Sequence, residues 1–303
     1  MQPSHATPGS GVAAAPGGLA ERARRLGPLP YSALGMRPEP ADLPSPSEVA
    51  VWESSLVDRL WEAAGRPDPF TVVQVAAGEG AVAAEMLTRG SRPACSTALR
   101  LVLVEGDPAL RERHAGRLPV EAPSLILGPV APGSDPDEDP APVSGIGPIV
   151  TSLGELPVVR GWCLIVAVGW LSRFAYDLFE WRDGRWYELR LAAVADSGPG
   201  LEAIGVELDR DRTSRLDGLV PEQARVYGGR YGVRDGAAEW VRSALGAGES
   251  GWVVAADRWA QNTGPVPGGE VPVALDQLAA VRRPEAYALD GPGGFGVVRW
   301  RIG

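Results

Sequence analysis

Apolar positions along the chain fall into several continuous runs and one strictly alternating pair. The runs "FTVVQVA" (Phe70 to Ala76), "ALRLVLVEG" (Ala98 to Gly106), "GWCLIVAVGWL" (Gly161 to Leu171) and "SGWVVAADRW" (Ser250 to Trp259) suit strands buried on both faces. Between them the spacing changes to that of helices. Val49, Val51, Trp52, Leu56, Leu60 and Trp61 predict a helix over "EVAVWESSLVDRLWEAAG", with Ser47 as its N-cap and Gly65 closing it. "GEGAVAAEMLTRG" predicts a glycine turn and a helix. "PALRERHAGRL" predicts another, with Pro108 suited to its first turn, and "DGAAEWVRSAL" a further one. "YDLFEWRDGRWYELRLAAV" alternates around Asp183-Gly184, a hairpin signal because both turn residues need positive φ; Trp181 and Trp186 then form a cross-strand pair. "PSLILGPV" predicts a short third strand and "FGVVRWRI" a terminal one. Strand and helix alternate in the first half, which predicts an α/β fold: a mostly parallel, seven-stranded sheet covered by helices on both faces, completed by antiparallel strands near the end.

Residues Met1 to Gly18 are rich in Pro, Gly, Ala and Ser without periodicity, and "AERARRLG" supports only a short helical turn. In "RPEPADLPSPS" (Arg37 to Ser47) each residue before a proline is steered away from helix. Two parts are therefore expected: a flexible segment over 1–44 and one folded domain over 45–303. The start lacks a basic region followed by a long apolar stretch, and no run approaches the length needed to span a bilayer. A cytoplasmic protein without a membrane partner is expected.

Composition narrows the chemistry. A chain of 303 residues, 45% hydrophobic and 22% charged, has the material for a sizeable core. Its net charge of −9 and pI near 4.9 argue against a nucleic-acid partner. All 29 basic residues are arginine, so Schiff-base chemistry and a P-loop lysine are excluded. Cys95 and Cys163 stand far apart and read as buried, reduced thiols. With only His5 and His114 to join them, no zinc site is expected. A Ser-His-acid triad would rest on His114, and no G-x-S-x-G accompanies it. The acidic run of Asp135, Asp137, Glu138 and Asp139 lacks the spacing of a calcium loop, so no metal is expected.

The chemistry-bearing stretch is "TVVQVAAGEGAVAAEML" (Thr71 to Leu87), a strand, glycine turn and helix, followed by a second strand ending at Glu105. Glycines let the backbone approach a ligand, and an acid after the next strand can accept both hydroxyls of a ribose. The bland alternative is a packing turn beside an exposed glutamate. Ala76, Gly78 and Gly80 follow a G-x-G-x-G rhythm with its first glycine replaced. No third glycine stands at the dinucleotide spacing, where Ala81 and Ala83 are found. The rhythm favours S-adenosylmethionine over NAD and leaves a dehydrogenase as the weakest reading.

"VVQVAAGEGAVAAEML", "LVLVEGDPALRERHAGRL" and "TSLGELPVVRGWCLIVAVGWLSRFAYDLFEWRDGRWYEL" together resemble the MidA family of class I SAM-dependent methyltransferases. Its mitochondrial members assist respiratory complex I assembly and methylate a protein arginine. The resemblance runs from Ser45 to Asp257 and more weakly to the C-terminus. It implies a Rossmann-like class I methyltransferase fold, S-adenosylmethionine as cofactor, and cofactor contacts at Gln74, Ala76, Gly78, Gly80 and Glu105.

This chain departs from the family in its loops. The family's first loop runs Glu-x-Gly-x-Gly-x-Gly; here Gln74 and Ala76 replace the acid and first glycine. After the central strand the family has Asn-Glu-x-x-Asp-Ala-x-Pro; here Val168, Gly169 and Ser172 take the polar positions. A later Asp-Tyr-Gly has become Asp257, Arg258 and Trp259, leaving Asp257 as the surviving catalytic candidate, with Asp177 and Glu180 nearby in sequence. Losing the charged hydrogen bond at Gln74 corresponds to roughly ten- to a hundredfold in affinity. Alanine in a left-handed position adds roughly 1–2 kcal/mol. The expectation is a SAM-dependent methyltransferase with a weakened cofactor loop acting on an undetermined acceptor, in the family's manner a protein side chain. The alternative is a non-catalytic scaffold or assembly protein on the same fold.

Overall fold

The computed structural model describes residues 16–35, 43–88, 92–121, 126–127, 148–194, 201–260, 273–288 and 290–303. Helix α1 (Pro16–Leu26), strand β1 (Leu29–Pro30) and helix α2 (Pro46–Ala63) precede the first long strand, β2 (Phe70–Val75). Then follow α3 (Ala81–Leu87), β3 (Leu99–Val104), α4 (Pro108–Glu121), β4 (Ile126–Leu127), β5 (Ile149–Leu153) and β6 (Val159–Val168). A mostly antiparallel excursion comprises β7 (Asp177–Arg182), β8 (Arg185–Ala193), β9 (Leu201–Glu207), α5 (Arg210–Leu219) and β10 (Gly229–Val233). The chain closes with α6 (Asp235–Gly246), β11 (Gly248–Asp257), β12 (Trp259–Ala260), β13 (Val273–Ala274), α7 (Leu275–Ala279), β14 (Ala286–Ala288) and β15 (Gly296–Ile302). None of the described helices is long and apolar enough to cross a membrane.

The main sheet has eight strands in the order β14-β15-β11-β6-β2-β3-β5-β4. The six from β11 to β4 are parallel, and β15 and β14 are each antiparallel to their inner neighbour. The sheet is thus mixed and has one strand more than the seven expected, ending at the outer edge in the two-residue β4. That strand is the described part of "PSLILGPV"; the principal third strand is instead β5. β2 lies at the centre and is buried throughout. Its alternate residues feed two cores. Phe70 and Val72 pack with Leu56, Val57 and Leu60 of α2 and Met86 of α3. Val73 and Val75 pack with Ile165, Val253 and, from α6, Trp240 and Val241.

The Asp183-Gly184 hairpin forms as expected, with φ of 52° and 72° and Trp181 opposite Trp186, ring centroids 4.9 Å apart. It does not complete the main sheet. β1, β8, β7 and β10 form a separate antiparallel sheet, with β9 also on β8. The physical reason is that one-sided strands need a cover of their own. α5 supplies it, closing a core of Phe179, Trp186, Leu216, Val220, Tyr231 and Val233.

Two boundaries differ from expectation. Part of the segment expected to be flexible is built into the fold: α1 buries Leu19 and Ala23 with Leu29. The N-cap of α2 is Ser45 rather than Ser47. Its hydroxyl accepts from the Glu48 N–H while Glu48 reaches back to the Ser45 N–H, and Pro46, which has no N–H to lose, takes the first helical position. The acidic run at 135–139 and residues 1–15 lie outside the described residues.

Candidate functional site

At the C-terminal end of β2 the chain turns through Ala76, Gly78 and Gly80, with φ of 55°, 57° and 83°. All three stand in the left-handed region, so the alternating rhythm seen in the sequence is a backbone requirement. Ala77 N–H donates to the Val104 carbonyl at 3.1 Å, tying the loop to β3, and Gly80 N–H closes the turn onto the Ala77 carbonyl at 2.9 Å. A Cβ built on Gly78 would meet no heavy atom within 4 Å, so the loop presents open backbone there. Ala76 carries the strain of a Cβ at positive φ. Ala76→Gly is expected to raise the unfolding free energy by about 1 kcal/mol. Urea titration of both proteins checks this; an unchanged or lower midpoint would contradict it.

Glu105 follows β3 directly and meets this loop. Its Oε2 accepts the Gly78 N–H at 2.9 Å and its Oε1 the Asp107 N–H at 2.9 Å, while the Arg111 guanidinium donates to its carbonyl at 2.7 Å. The two features the sequence set 27 residues apart are therefore in direct contact. Each carboxylate oxygen keeps a second lone pair with which to accept a hydroxyl.

Gln74 takes a different direction. It lies on the face of β2 that points to α2, is 5% exposed, and donates to the Glu53 carboxyl at 2.9 Å. Its amide also lies 3.6 Å from the Met86 sulfur. Of the five residues expected at the cofactor, the structure brings Ala76, Gly78, Gly80 and Glu105 together and turns the side chain of Gln74 into the core. Burial pushes the Glu53 carboxyl up to about 7, against the opposing pull of the Gln74 amide.

Sequence reasoning missed the role of His114. The residue is buried on α4, with Nε2 at 2.7 Å from the Gly78 carbonyl and Nδ1 at 2.8 Å from the Ser152 hydroxyl of β5. Burial lowers its pKa, which favours the neutral ring. Within "RERHAGR" nothing distinguishes an inward histidine from the charged residues around it. Both cysteines are free and buried, with their thiols pushed up to about 12 by burial.

The end of the sheet beside this loop is sparing in acids. Asp257, closing β11, is 1% exposed; its Oδ2 accepts the Ser172 N–H at 3.0 Å and its Oδ1 the Arg258 N–H at 2.8 Å. Burial raises its pKa, opposed by those hydrogen bonds and by the charge of Arg234. The carboxylate thus anchors the turn that leaves β6. In that turn Gly169 has φ 60°, and a Cβ there would lie 2.3 Å from Leu43 Cδ2. Asp177 accepts from the Ser32 N–H at 3.1 Å, and Glu180 lies in β7 opposite Tyr187 of β8 and Arg230 of β10.

A parallel sheet with two antiparallel closing strands, a glycine loop after the central strand and an acid after its neighbour define an α/β protein of the methyltransferase-like class. Residues 55–257 match a family model described as "Putative S-adenosyl-L-methionine-dependent methyltransferase". The match covers more than half of the chain, and the chain belongs to that family, in keeping with the MidA-like resemblance. S-adenosylmethionine is the cofactor that the family description names. Two solved structures from Burkholderia thailandensis share the fold. One, of an uncharacterized protein, aligns with a TM-score of 0.58 and 18% identity over 93% of this chain and 71% of its own. The other, of a "likely methyl transferase" bound to S-adenosyl-homocysteine, aligns with a TM-score of 0.64 and 15% identity over 94% of this chain and 90% of its own. No curated protein matches the chain.

Proposed function

We propose that the chain is a cytoplasmic SAM-dependent methyltransferase of the MidA-like type, with its cofactor held at Ala76, Gly78, Gly80 and Glu105. The observation that carries the reading is the contact between Glu105 and Gly78, which sets a ribose-accepting carboxylate against a loop whose open face a Cβ would not obstruct. When bound, the cofactor would supply an electrophilic sulfonium methyl group for an acceptor lone pair to attack, with S-adenosylhomocysteine as the leaving group. The chain's own contribution is to bind and to orient: Glu105 receives ribose hydroxyls, and the loop brings its backbone to the ligand. The acceptor is a protein side chain in this reading. A protonated guanidinium suits the site poorly, because Val168, Gly169 and Ser172 offer no carboxylate and Asp257, 1% exposed, is enclosed in the turn that it anchors.

A second reading, a non-catalytic scaffold of the same fold, is favoured by Leu43, which packs where a side chain at position 169 would stand. Calorimetric titration with S-adenosylhomocysteine, followed by radiolabelled methyl transfer to lysate proteins, separates the two. The enzyme reading expects binding at tens of micromolar or tighter and a labelled band dependent on this protein. Binding without any labelled acceptor would favour the scaffold, and no heat up to millimolar ligand would remove the cofactor from both.

A further inference from the structure

Gly78 has one N–H and one C=O, and side chains of the following strand–helix unit engage both. Glu105 accepts from the N–H at 2.9 Å, and His114 Nε2 lies 2.7 Å from the carbonyl oxygen. A carbonyl has no proton to give, so Nε2 carries the hydrogen and donates it. In a neutral ring Nδ1 is then the acceptor, and the Ser152 hydroxyl, 2.8 Å away, donates to it. The Gly78 carbonyl, which can only accept, thereby fixes the tautomer, and the Ser152 hydroxyl, which can donate or accept, holds the ring from its other side. The ring also lies beneath Gly80: a Cβ there would meet His114 Cδ2 at 3.3 Å. Glycine at that position lets the imidazole approach, in addition to allowing its φ of 83°.

The consequence lies on the far side of the peptide. A trans peptide is planar, with its C=O and N–H pointing in opposite directions. Drawing the Gly78 carbonyl toward α4 turns the N–H of Glu79 away from α4. We propose that His114, oriented by Ser152, is a positioning residue for the cofactor, fixing the 78–79 peptide so that its N–H faces an acceptor atom of the bound ligand. This rests on the methyltransferase reading above. Glu105 and His114 then hold opposite ends of Gly78, and the loop is pre-set before the ligand arrives.

The test is calorimetric titration of S-adenosylhomocysteine into the full chain and into His114→Gln and His114→Leu, with melting temperatures taken without ligand. Glutamine can place an amide N–H where Nε2 stands, and leucine cannot. The expected result is a Kd within about threefold of wild type for His114→Gln. For His114→Leu it is a Kd about tenfold weaker, the size of one lost orienting hydrogen bond, measured below the melting temperature of the variant so that only folded protein is titrated. Wild-type affinity in His114→Leu, or equal losses in both variants, would overturn the inference and leave the methyltransferase reading standing. No binding by the wild type would overturn that reading and this one with it. Nitrogen-15 spectra of the ring in the ligand-free wild type give a check that needs no variant to fold. An unprotonated Nδ1 supports the assignment, and a protonated Nδ1 with a bare Nε2 overturns it.

Discussion

Glu105→Ala is expected to weaken S-adenosylhomocysteine binding at least about a hundredfold while leaving the fold intact. Two hydroxyl hydrogen bonds to an ionised carboxylate are worth roughly 1.5–3 kcal/mol each, which sets that lower bound. The side chain is only partly buried, and the N–H groups of Gly78 and Asp107 that it receives lie at a loop where water can replace it. The loss therefore falls on affinity rather than on stability. Calorimetry gives the Kd and thermal unfolding the control. Affinity retained in a folded Glu105→Ala would remove Glu105 from the site, and with it the observation on which the functional reading stands. Glu105→Gln should fall between, because an amide oxygen still accepts from a hydroxyl but carries no charge.

The second large effect concerns stability and pH. Glu53 is 1% exposed and shares its carboxyl with the Gln74 amide, and burial raises its pKa from 4.5 to about 7. Between those values the folded state holds a proton that the unfolded chain has released. The stabilisation is complete below pH 4.5 and is lost as pH rises through about 7. The interval corresponds to about 3 kcal/mol. Glu53→Gln keeps a polar partner for Gln74 and removes the ionisation. Urea unfolding at pH 5 and pH 8 should therefore show wild type losing about 3 kcal/mol more than the variant between the two. Parallel losses would show that Glu53 is ionised in the folded protein at both values. The pair also explains why Gln74 can stand in the centre of a sheet: its amide has a donor's task on the α2 side, remote from the open face of the loop.

The main sheet was legible in the sequence because strands buried on both faces leave unbroken apolar runs, and α2, α3, α4 and α6 because their spacing or turn residues mark them. β5 was not, since "IVTSL" is five residues with Thr151 and Ser152 among them. The second sheet was legible only as a hairpin. Sheet membership depends on pairing between distant segments, and α5, which covers it, buries Leu216 alone within "RDRTSRLDGL". At the site, the Gly78–Glu105 contact could be read because both residues sit at strand ends whose pairing is set by β2 and β3. The direction of Gln74 and the inward turn of His114 could not. Each depends on which helix covers which face, a matter settled by packing rather than by spacing.

Leu43 and Gly169 constrain each other. Any side chain at position 169 would meet both a left-handed backbone and the Cδ2 methyl of Leu43, which would have to shift. A smaller residue at 43 would be neutral by itself and permissive for the second change, whereas the reverse order would be damaging. The two positions are epistatic. Position 169 opens to a side chain only when the side chain at position 43 gives way.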